Sequence, residues 1–333
     1  MKHLLKSDYR KKRVSRLFAL ILICSAAVLL SGCSGSSLEE PYSFADRSGN
    51  MGVSEGSASL APLFASALCV VDGETKDAGT ELTAEAGALF NITDGTVLYS
   101  KNVFEELYPA SITKVMTAIL AIEEGELSDE VTVTQDAVIT EAGASLAGIK
   151  PGDTLTMEQL LYGLMIPSGN DAANAIAVHM SGSLESFAER MNEKARELGA
   201  THTHFKNPNG LTDPEHYTTA YDLYLIFNEA LKLPKFREVI GADSYTASYR
   251  DADGNTVSKT WKVGNWYQNG EEKAPQGVTV LGGKTGTTQA AGYCLIMAER
   301  DESGRGYISV VLKAENRQGL YDTMTNIITK IVD

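Results

Sequence analysis

The first residues that could do chemistry are Ser111 and Lys114, in the motif Ser111-Ile112-Thr113-Lys114, which opens an apolar run of helical spacing. Residues three apart share one face of a helix, so the Lys114 amine can reach the Ser111 hydroxyl. A neutral amine there would accept the hydroxyl proton and turn a weak alcohol into a nucleophile. This requires the pKa of Lys114 to fall about three units below its usual ~10.4, which burial and a nearby cation can achieve.

A second motif, Ser168-Gly169-Asn170, carries a hydroxyl and a side-chain amide. Ser168 could relay a proton between Lys114 and a leaving amine. Asn170 could bind a substrate carbonyl or hold Lys114 in place. The triplet alone is weak evidence, because Ser48-Gly49-Asn50 repeats it elsewhere in the chain.

The third motif, Lys284-Thr285-Gly286-Thr287, ends an apolar run rich in glycine. Lys284 would supply the second cation, while the Thr285 and Thr287 hydroxyls can bind a terminal carboxylate. Glycine in a strand often marks a close approach, here of the backbone of a ligand. Alone, this motif also fits a turn with a solvated lysine, so specificity comes from the order of the three motifs.

Both helices and strands must position these residues. Two β-rich runs around an Asp94-Gly95 turn predict a hairpin. Helical patterns follow at 111–124, 157–164, 171–180, 184–198 and 219–231, and strand-like runs at 256–263, 278–281, 292–298 and 307–312 precede a last helix at 320–331. Strands at both ends of a helical middle favour an α+β fold, with an antiparallel sheet and helices packed on it.

Taken together, the three motifs resemble the signature of penicillin-binding proteins and serine β-lactamases. The chain is most similar to the serine D-alanyl-D-alanine carboxypeptidases, the low-molecular-weight penicillin-binding proteins of peptidase family S11. The resemblance extends from about Ala86 to the C-terminus and runs through segments 108–114, 150–153, 160–164, 168–173, 207–211, 216–223 and 283–286.

The resemblance implies a β-lactamase/transpeptidase-like fold with a mostly helical subdomain, and removal of the terminal D-alanine from peptidoglycan stem peptides through an acyl-enzyme. It implies β-lactams as covalent inhibitors and neither cofactor nor metal. The implied roles are nucleophile for Ser111, general base for Lys114, proton shuttle for Ser168, and substrate binding for Asn170, Lys284, Thr285, Gly286 and Thr287. The backbone N–H groups of Ser111 and Thr287 would form the oxyanion hole.

The N-terminus has the layout of an export signal. A basic run precedes an apolar stretch of 14 residues, fewer than the ~20 that span a membrane, and Leu30-Ser31-Gly32-Cys33 resembles a lipoprotein cleavage site. We therefore expect a signal peptide over 1–32, lipidation of Cys33, a flexible tether over 33–80 and the enzyme domain over 81–333. The product would sit outside the cytoplasm on the membrane surface, and an uncleaved N-terminal helix is the alternative anchor. Many relatives continue into a second domain and an amphipathic helix, whose place the lipid would take.

The remaining features bound the function further. The net charge of −14 argues against nucleic acid as a partner. Cys69 and Cys294 could pair, but a buried free thiol at Cys294 is favoured. We expect His202 and His204 to be exposed rather than metal ligands, Arg317 to lie at the surface, and His216 to help start the helix after it.

Two other functions remain open. A class A β-lactamase would need a Glu-x-x-x-Asn arrangement between the second and third motifs; we find none, and Gly169 replaces the aspartate typical of that class. A non-catalytic penicillin sensor is the other alternative, although all the polar groups of the proposed site are present.

Overall fold

A five-stranded antiparallel sheet with helices on both faces forms the centre of the protein. The computed structural model describes residues 68–73 and 83–332. In these residues the strands are ordered β2-β1-β9-β8-β7. They are β1 (Ala86–Asn91), β2 (Thr96–Lys101), β7 (Val278–Thr288), β8 (Gly292–Asp301) and β9 (Gly306–Ala314). β7 is therefore an edge strand of this sheet.

The central strands are apolar on both sides because both sides are covered. In β8, Ile296 and Ala298 belong to the larger core, while Leu295 and Met297 point into a smaller core on the other face. The alternation follows from the two-residue period of a strand.

Helices cover both faces of this sheet. The helices of the described residues are α1 (Lys114–Glu123), α2 (Met157–Met165), α3 (Asn170–Ser181), α4 (Leu184–Glu197), α5 (Ala220–Ala230), α6 (Pro234–Ile240), α7 (Trp266–Asn269) and α8 (Arg317–Thr329). α1 is buried all round from Lys114 to Ala121, as expected for a helix in the middle of a domain. α8 packs on the opposite face of the sheet and lines the smaller core.

A second antiparallel sheet lies outside the first. It contains β3 (Glu130–Thr132), β4 (Thr154–Thr156), β5 (Ser244–Arg250) and β6 (Thr256–Lys262), in the order β3-β4-β5-β6. The α+β prediction is confirmed, but the sequence predicted one sheet only. Of the second sheet it predicted β6 alone, because β3 and β4 are three residues long and β5 alternates exposed polar residues with the buried Ala247 and Tyr249 instead of forming an apolar run.

The lengths of several elements also differ from prediction. β7 continues to Thr288 rather than ending at 281, so the third motif lies within a strand. The first motif begins with a 3-10 turn, Ala110–Thr113, and α1 starts only at Lys114. The hairpin around Asp94-Gly95 and the helices at 157–164, 171–180, 184–198 and 219–231 are confirmed within one or two residues.

Part of the segment predicted as a tether, within residues 68–73, contacts the domain. The backbone N–H of Cys69 donates to the Tyr224 hydroxyl at 2.9 Å, and its carbonyl accepts from the Tyr221 hydroxyl at 2.9 Å. Cys69 itself is buried in the larger core. Cys69 and Cys294 are both buried free thiols, which confirms the expectation for Cys294.

The export signal and the Cys33 lipidation site lie outside the described residues, as does most of the tether. Within the described part of the chain, no helix combines the length and the apolar character needed to cross a membrane.

Candidate active site

The Ser111 and Lys114 side chains meet where the 3-10 turn passes into α1. Lys114 Nζ lies 2.9 Å from Ser111 Oγ. The three-residue spacing places both on one side of this turn, as the motif predicts. Ser111 remains partly exposed while Lys114 is fully buried, so the hydroxyl faces solvent and the amine lies behind it.

Two carbonyl oxygens complete the surroundings of the Lys114 amine. Asn170 Oδ1, on the first residue of α3, lies 2.6 Å from Nζ, and the backbone carbonyl of Asn209 lies 2.5 Å from it. A neutral amine has two N–H donors and one lone pair. The two carbonyls can accept the two N–H groups, which leaves the lone pair for the Ser111 hydroxyl proton.

The electrostatics favour this neutral form. The pKa of Lys114 lies well below its ordinary 10.5, first because burial removes water from the ammonium and second because Lys284 is near, while Asp171 acts in the opposite direction. A charge buried beside a like charge loses solvation and gains repulsion, and both effects disfavour protonation. The base predicted from the sequence therefore has a physical basis here.

Lys284 and Ser168 form a second pair next to the first. Lys284 Nζ donates to Ser168 Oγ at 2.8 Å and to the carbonyl of Thr285 at 2.7 Å. Burial lowers the pKa of Lys284 to about 7. Ser168 has φ of 61°, a left-handed conformation that non-glycine residues rarely adopt, at the turn into α3. That turn aims its hydroxyl at the third motif.

Two glycines permit the close approach of these motifs. A Cβ atom on Gly286 would lie 2.8 Å from the carbonyl oxygen of Pro109 and 3.0 Å from the amide nitrogen of Ser111. A Cβ atom on Gly169 would lie 2.7 Å from both Ala147 N and the Gly163 carbonyl oxygen. A larger residue at either position would push strand β7 or the second motif away from the nucleophile.

An open cleft of about 750 Å³ leads to these groups. It is lined by Ser111, Asn170 and Thr287, among others. Thr285 lies two residues before Thr287 and so shares its face of β7. The structure thus brings all the residues of the three motifs to one place, and the edge of β7 forms one wall of the cleft.

Sequence reasoning missed two groups that build the site. Asn209 acts through its backbone carbonyl, which side-chain patterns do not reveal, although segment 207–211 was singled out as a motif. Asp171 accepts hydrogen bonds from the backbone N–H groups of Ala147, Gly148 and Ile149. It thereby fixes the loop that lies against Gly169.

The weaker candidates lie elsewhere. His202 Nδ1 is 3.3 Å from a Glu106 oxygen, and His204 Nδ1 is 2.5 Å from the Glu215 carbonyl. Arg317 lies over the Trp266 ring, 5.9 Å from its centroid, and not in the cleft. His216 does not cap the helix after it: Thr219 is the N-cap, because its hydroxyl accepts from the amide of the third helical residue.

His216 instead supports the first motif. Its Nδ1 accepts from the amide of Lys206 at 3.1 Å, which leaves Nε2 to donate to Thr113 Oγ1 at 2.8 Å. Burial lowers the pKa of His216 to about 4, so the ring is neutral. A neutral histidine thus holds Thr113, the last residue of the 3-10 turn, directly before α1 begins.

The fold and this arrangement of side chains define the class of serine DD-peptidases with a β-lactamase-like fold. The family model described as D-alanyl-D-alanine carboxypeptidase matches residues 73–316. The chain belongs to this family, peptidase family S11.

Several relatives illustrate the similarity. The chain is 39% identical over 237 residues to the D-alanyl-D-alanine carboxypeptidase DacF of Bacillus subtilis, covering 69% of this chain and 57% of the relative. It is 34% identical over 257 residues to DacC of Escherichia coli, covering 74% and 60% respectively. The chain thus spans about three fifths of the length of these curated relatives.

Solved structures agree with these relatives. The crystal structure of a Streptomyces DD-transpeptidase superposes with a TM-score of 0.67 at 32% identity, covering 76% of this chain and 97% of that one. The carboxypeptidase DacD of Francisella tularensis, at 24% identity and a TM-score of 0.67, shares the fold.

Proposed function

We propose that this protein is a serine-type D-Ala-D-Ala carboxypeptidase that removes the terminal D-alanine from peptidoglycan stem peptides. The observation that carries the proposal is the contact of the buried Lys114 amine with Ser111 Oγ at 2.9 Å, between two carbonyl acceptors. This arrangement provides an activated serine without a histidine.

In the acylation step, Ser111 Oγ attacks the carbonyl carbon of the penultimate D-alanine, and its proton passes to Lys114 Nζ. The oxyanion is held by the backbone N–H groups of Ser111 and Thr287. The proton then reaches the nitrogen of the leaving D-alanine, with Ser168 Oγ as the relay, and the C–N bond breaks. Water hydrolyses the resulting ester and restores the hydroxyl.

Substrate binding uses the remaining groups. Lys284 and the hydroxyls of Thr285 and Thr287 hold the terminal carboxylate, and Asn170 donates its amide N–H to a substrate carbonyl. The pKa of Lys284, lowered to about 7 by burial, rises again when the carboxylate binds, because an opposite charge favours the protonated amine.

A β-lactam would acylate Ser111 by the same route and be released slowly. Class A β-lactamases typically carry an aspartate where this chain has Gly169, and the structure leaves no room for a side chain at that position. Rapid β-lactam hydrolysis is therefore not favoured. A non-catalytic sensor is not favoured either, because every group that the reaction needs is present.

We also propose that the domain acts outside the cytoplasm, attached to the membrane by a lipid on Cys33 after removal of the signal peptide over 1–32. The Leu30-Ser31-Gly32-Cys33 sequence supports this attachment. Mass spectrometry of the membrane-extracted protein would test it: the expected N-terminal residue is a diacylated cysteine, and an intact Met1 would contradict the proposal.

The reaction is tested with a peptide ending in D-Ala-D-Ala. We expect release of one equivalent of D-alanine per peptide by the purified protein and none by Ser111→Ala. A Ser145→Ala variant, which changes another serine of the cleft, serves as the matched control and should retain turnover. A folded protein that binds penicillin covalently but releases no D-alanine would favour the sensor instead.

A further inference from the structure

One of the two acceptors of the Lys114 amine belongs to the backbone. Asn170 supplies a side-chain oxygen, but the second acceptor is the main-chain carbonyl of Asn209. A neutral amine has one lone pair, whose direction is set by the acceptors of its two N–H groups. The place of the Asn209 carbonyl therefore decides whether that lone pair points at Ser111 Oγ.

The loop that carries this carbonyl borders the open cleft. Residues 209–211 are among those that line the cleft, so one side of the loop faces solvent. On the other side, the Thr117 hydroxyl of α1 donates to the carbonyl of Pro208 at 2.6 Å. The loop lies outside any helix or strand, so side chains rather than a ladder of backbone hydrogen bonds must hold it in place.

The side chain of Asn209 ties this loop to α3. Its Oδ1 accepts from the backbone N–H of Leu211 at 2.9 Å, and its Nδ2 donates to Asn174 Oδ1 at 2.9 Å. Asn174 in turn donates its Nδ2 to the carbonyl of Asp136 at 3.0 Å. A backbone N–H at one end and a backbone carbonyl at the other fix the orientation of both side-chain amides.

Burial makes this link hard to replace. Asn174 and Asn209 are both 3% exposed. A buried amide that loses its partner is costly to the fold unless it finds another, so without Asn174 the Asn209 side chain would have to turn away from α3. The backbone carbonyl belongs to the same residue and would shift with the side chain.

α3 thereby controls both acceptors of the amine. Asn170 and Asn174 are four residues apart and lie on one face of this helix. Asn170 contacts Lys114 directly, and Asn174 acts through Asn209. One helix face thus fixes both N–H groups of the base.

We infer that Asn174 is a positioning residue for the acylation step: through the Asn209 side chain, it holds the backbone carbonyl that directs the Lys114 lone pair toward Ser111. This inference rests on the proposed function, because it concerns the base of that reaction. A misplacement of about 1 Å can slow an enzyme on the order of 100-fold. We therefore expect loss of the link to slow acylation about tenfold or more.

Asn174→Leu removes the link and keeps a side chain of similar size. The measurement is the rate at which a fluorescent penicillin acylates the folded protein at several pH values. The plateau rate should fall about tenfold or more, because the lone pair is no longer directed at Ser111. The midpoint of the acid limb should move to lower pH, because a carbonyl stabilises the ammonium more than the neutral amine, and its loss lowers the pKa of Lys114.

A purely structural role of Asn174 would lower the free energy of unfolding and change neither the plateau rate nor the midpoint of the folded protein. An unchanged plateau, or a lower plateau with an unmoved midpoint, would overturn the inference.

Asn209→Leu breaks the same link from the other side, and it tests the inference even if Asn174→Leu does not fold. It should reproduce both changes. Asn174→Leu/Asn209→Leu should react as slowly as Asn209→Leu and no more slowly, because the two side chains act through one hydrogen bond. Multiplied effects in the double variant would show that the two residues act separately and would contradict the inference.

Asn192→Leu is the matched control. Asn192 lies on α4 and holds the backbone of Phe205, just before the loop, through hydrogen bonds of 2.7 and 2.9 Å. Its replacement removes two hydrogen bonds from the same stretch of chain but leaves the Asn209 contacts in place. It should lower the free energy of unfolding without changing the plateau or the midpoint. Equal slowing in Asn192→Leu would attribute the effect to general loosening of the loop and refute the inference.

The two proposals fail in different ways. If the unmodified protein is acylated and releases D-alanine, but Asn174→Leu reacts at the same rate, the inference is refuted and the carboxypeptidase proposal stands. If the folded, unmodified protein neither binds penicillin covalently nor releases D-alanine, the proposed function is refuted and the inference with it.

Discussion

Replacing Asn170 by aspartate should favour the protonated form of Lys114, which cannot act as a base, without changing the shape of the active site. Asn170 Oδ1 lies 2.6 Å from Lys114 Nζ, so Asn170→Asp places a carboxylate oxygen against the amine. At that distance, the attraction amounts to about 1.6 kcal/mol at the dielectric constant of water and about 6 kcal/mol at an effective value near 20. Even the smaller figure raises the pKa of Lys114 by more than about one unit.

The assay is the rate of acylation by a fluorescent penicillin as a function of pH. This rate falls on the acid side as Lys114 becomes protonated. In Asn170→Asp, the midpoint of the acid limb should move upward by at least about one unit, and acylation near pH 7 should fall about tenfold or more. Asn170→Ala is the control, since it loses the contact without adding charge.

Asn170→Ala should slow acylation without moving the midpoint upward. An unmoved acid limb in a folded Asn170→Asp protein would refute the reasoning, because it would mean that protonation of Lys114 does not govern acylation.

Three further predictions concern groups around the site and in the core. Gly286→Ala should slow acylation about 100-fold, the typical cost of a lost oxyanion donor, because the added Cβ atom would lie 3.0 Å from the amide nitrogen of Ser111. Gly264→Ala is the control and should have no effect, because no atom lies within 4 Å of the added Cβ atom. Burial raises the pKa of Glu299 from 4.5 to about 8. Between these pH values Glu299 ionises in the unfolded chain but stays protonated in the folded protein, so the free energy of unfolding falls as the pH rises from about 4.5 to about 8. Glu299→Gln should therefore match the unmodified protein in urea unfolding at pH 4.5 and be more stable at pH 8, by up to about 4 kcal/mol. His216→Leu should lower the free energy of unfolding by about 2 kcal/mol, because it leaves the Thr113 hydroxyl and a backbone amide without their partner.

Each of these has a clear contrary result. Normal acylation by Gly286→Ala would show that β7 tolerates displacement from the nucleophile turn. Parallel pH profiles of stability for Glu299→Gln and the unmodified protein would show that Glu299 is ionised in the fold. An unchanged midpoint of urea unfolding for His216→Leu would show that its two hydrogen bonds are replaced without cost.

The catalytic residues were predictable because their chemistry restricts residue type and order. Ser111 and Lys114 are close through local helical geometry, which spacing alone indicates. The contact between Lys284 and Ser168 is long-range and was not predicted; the order of the three motifs and the family resemblance assigned both residues to one site without pairing them. The roles predicted for the three motifs require their side chains to lie close together, and the hydrogen bonds of Lys114 to Asn170 and of Lys284 to Ser168 are of this kind.

Other features left no readable signal in the sequence. The Asn209 contact is made by a backbone carbonyl, which every residue has. His216 lies four residues before a helix and was predicted to help start it, yet tertiary packing turns its side chain toward Thr113. The second sheet did leave a weak signal, because β5 alternates exposed polar residues with the buried Ala247 and Tyr249, although it has no apolar run.

The central claim is that burial and the nearby Lys284 hold the pKa of the Lys114 amine well below its ordinary value, so that this amine can serve as the base. It is measured most directly by the ¹⁵N chemical shift of Lys114 Nζ during a pH titration of the unmodified protein, with the signal assigned by its absence in Lys114→Met. We predict that the ammonium signal is lost at a pH well below the usual ~10.4. An ammonium signal that persists above pH 9 would contradict the account.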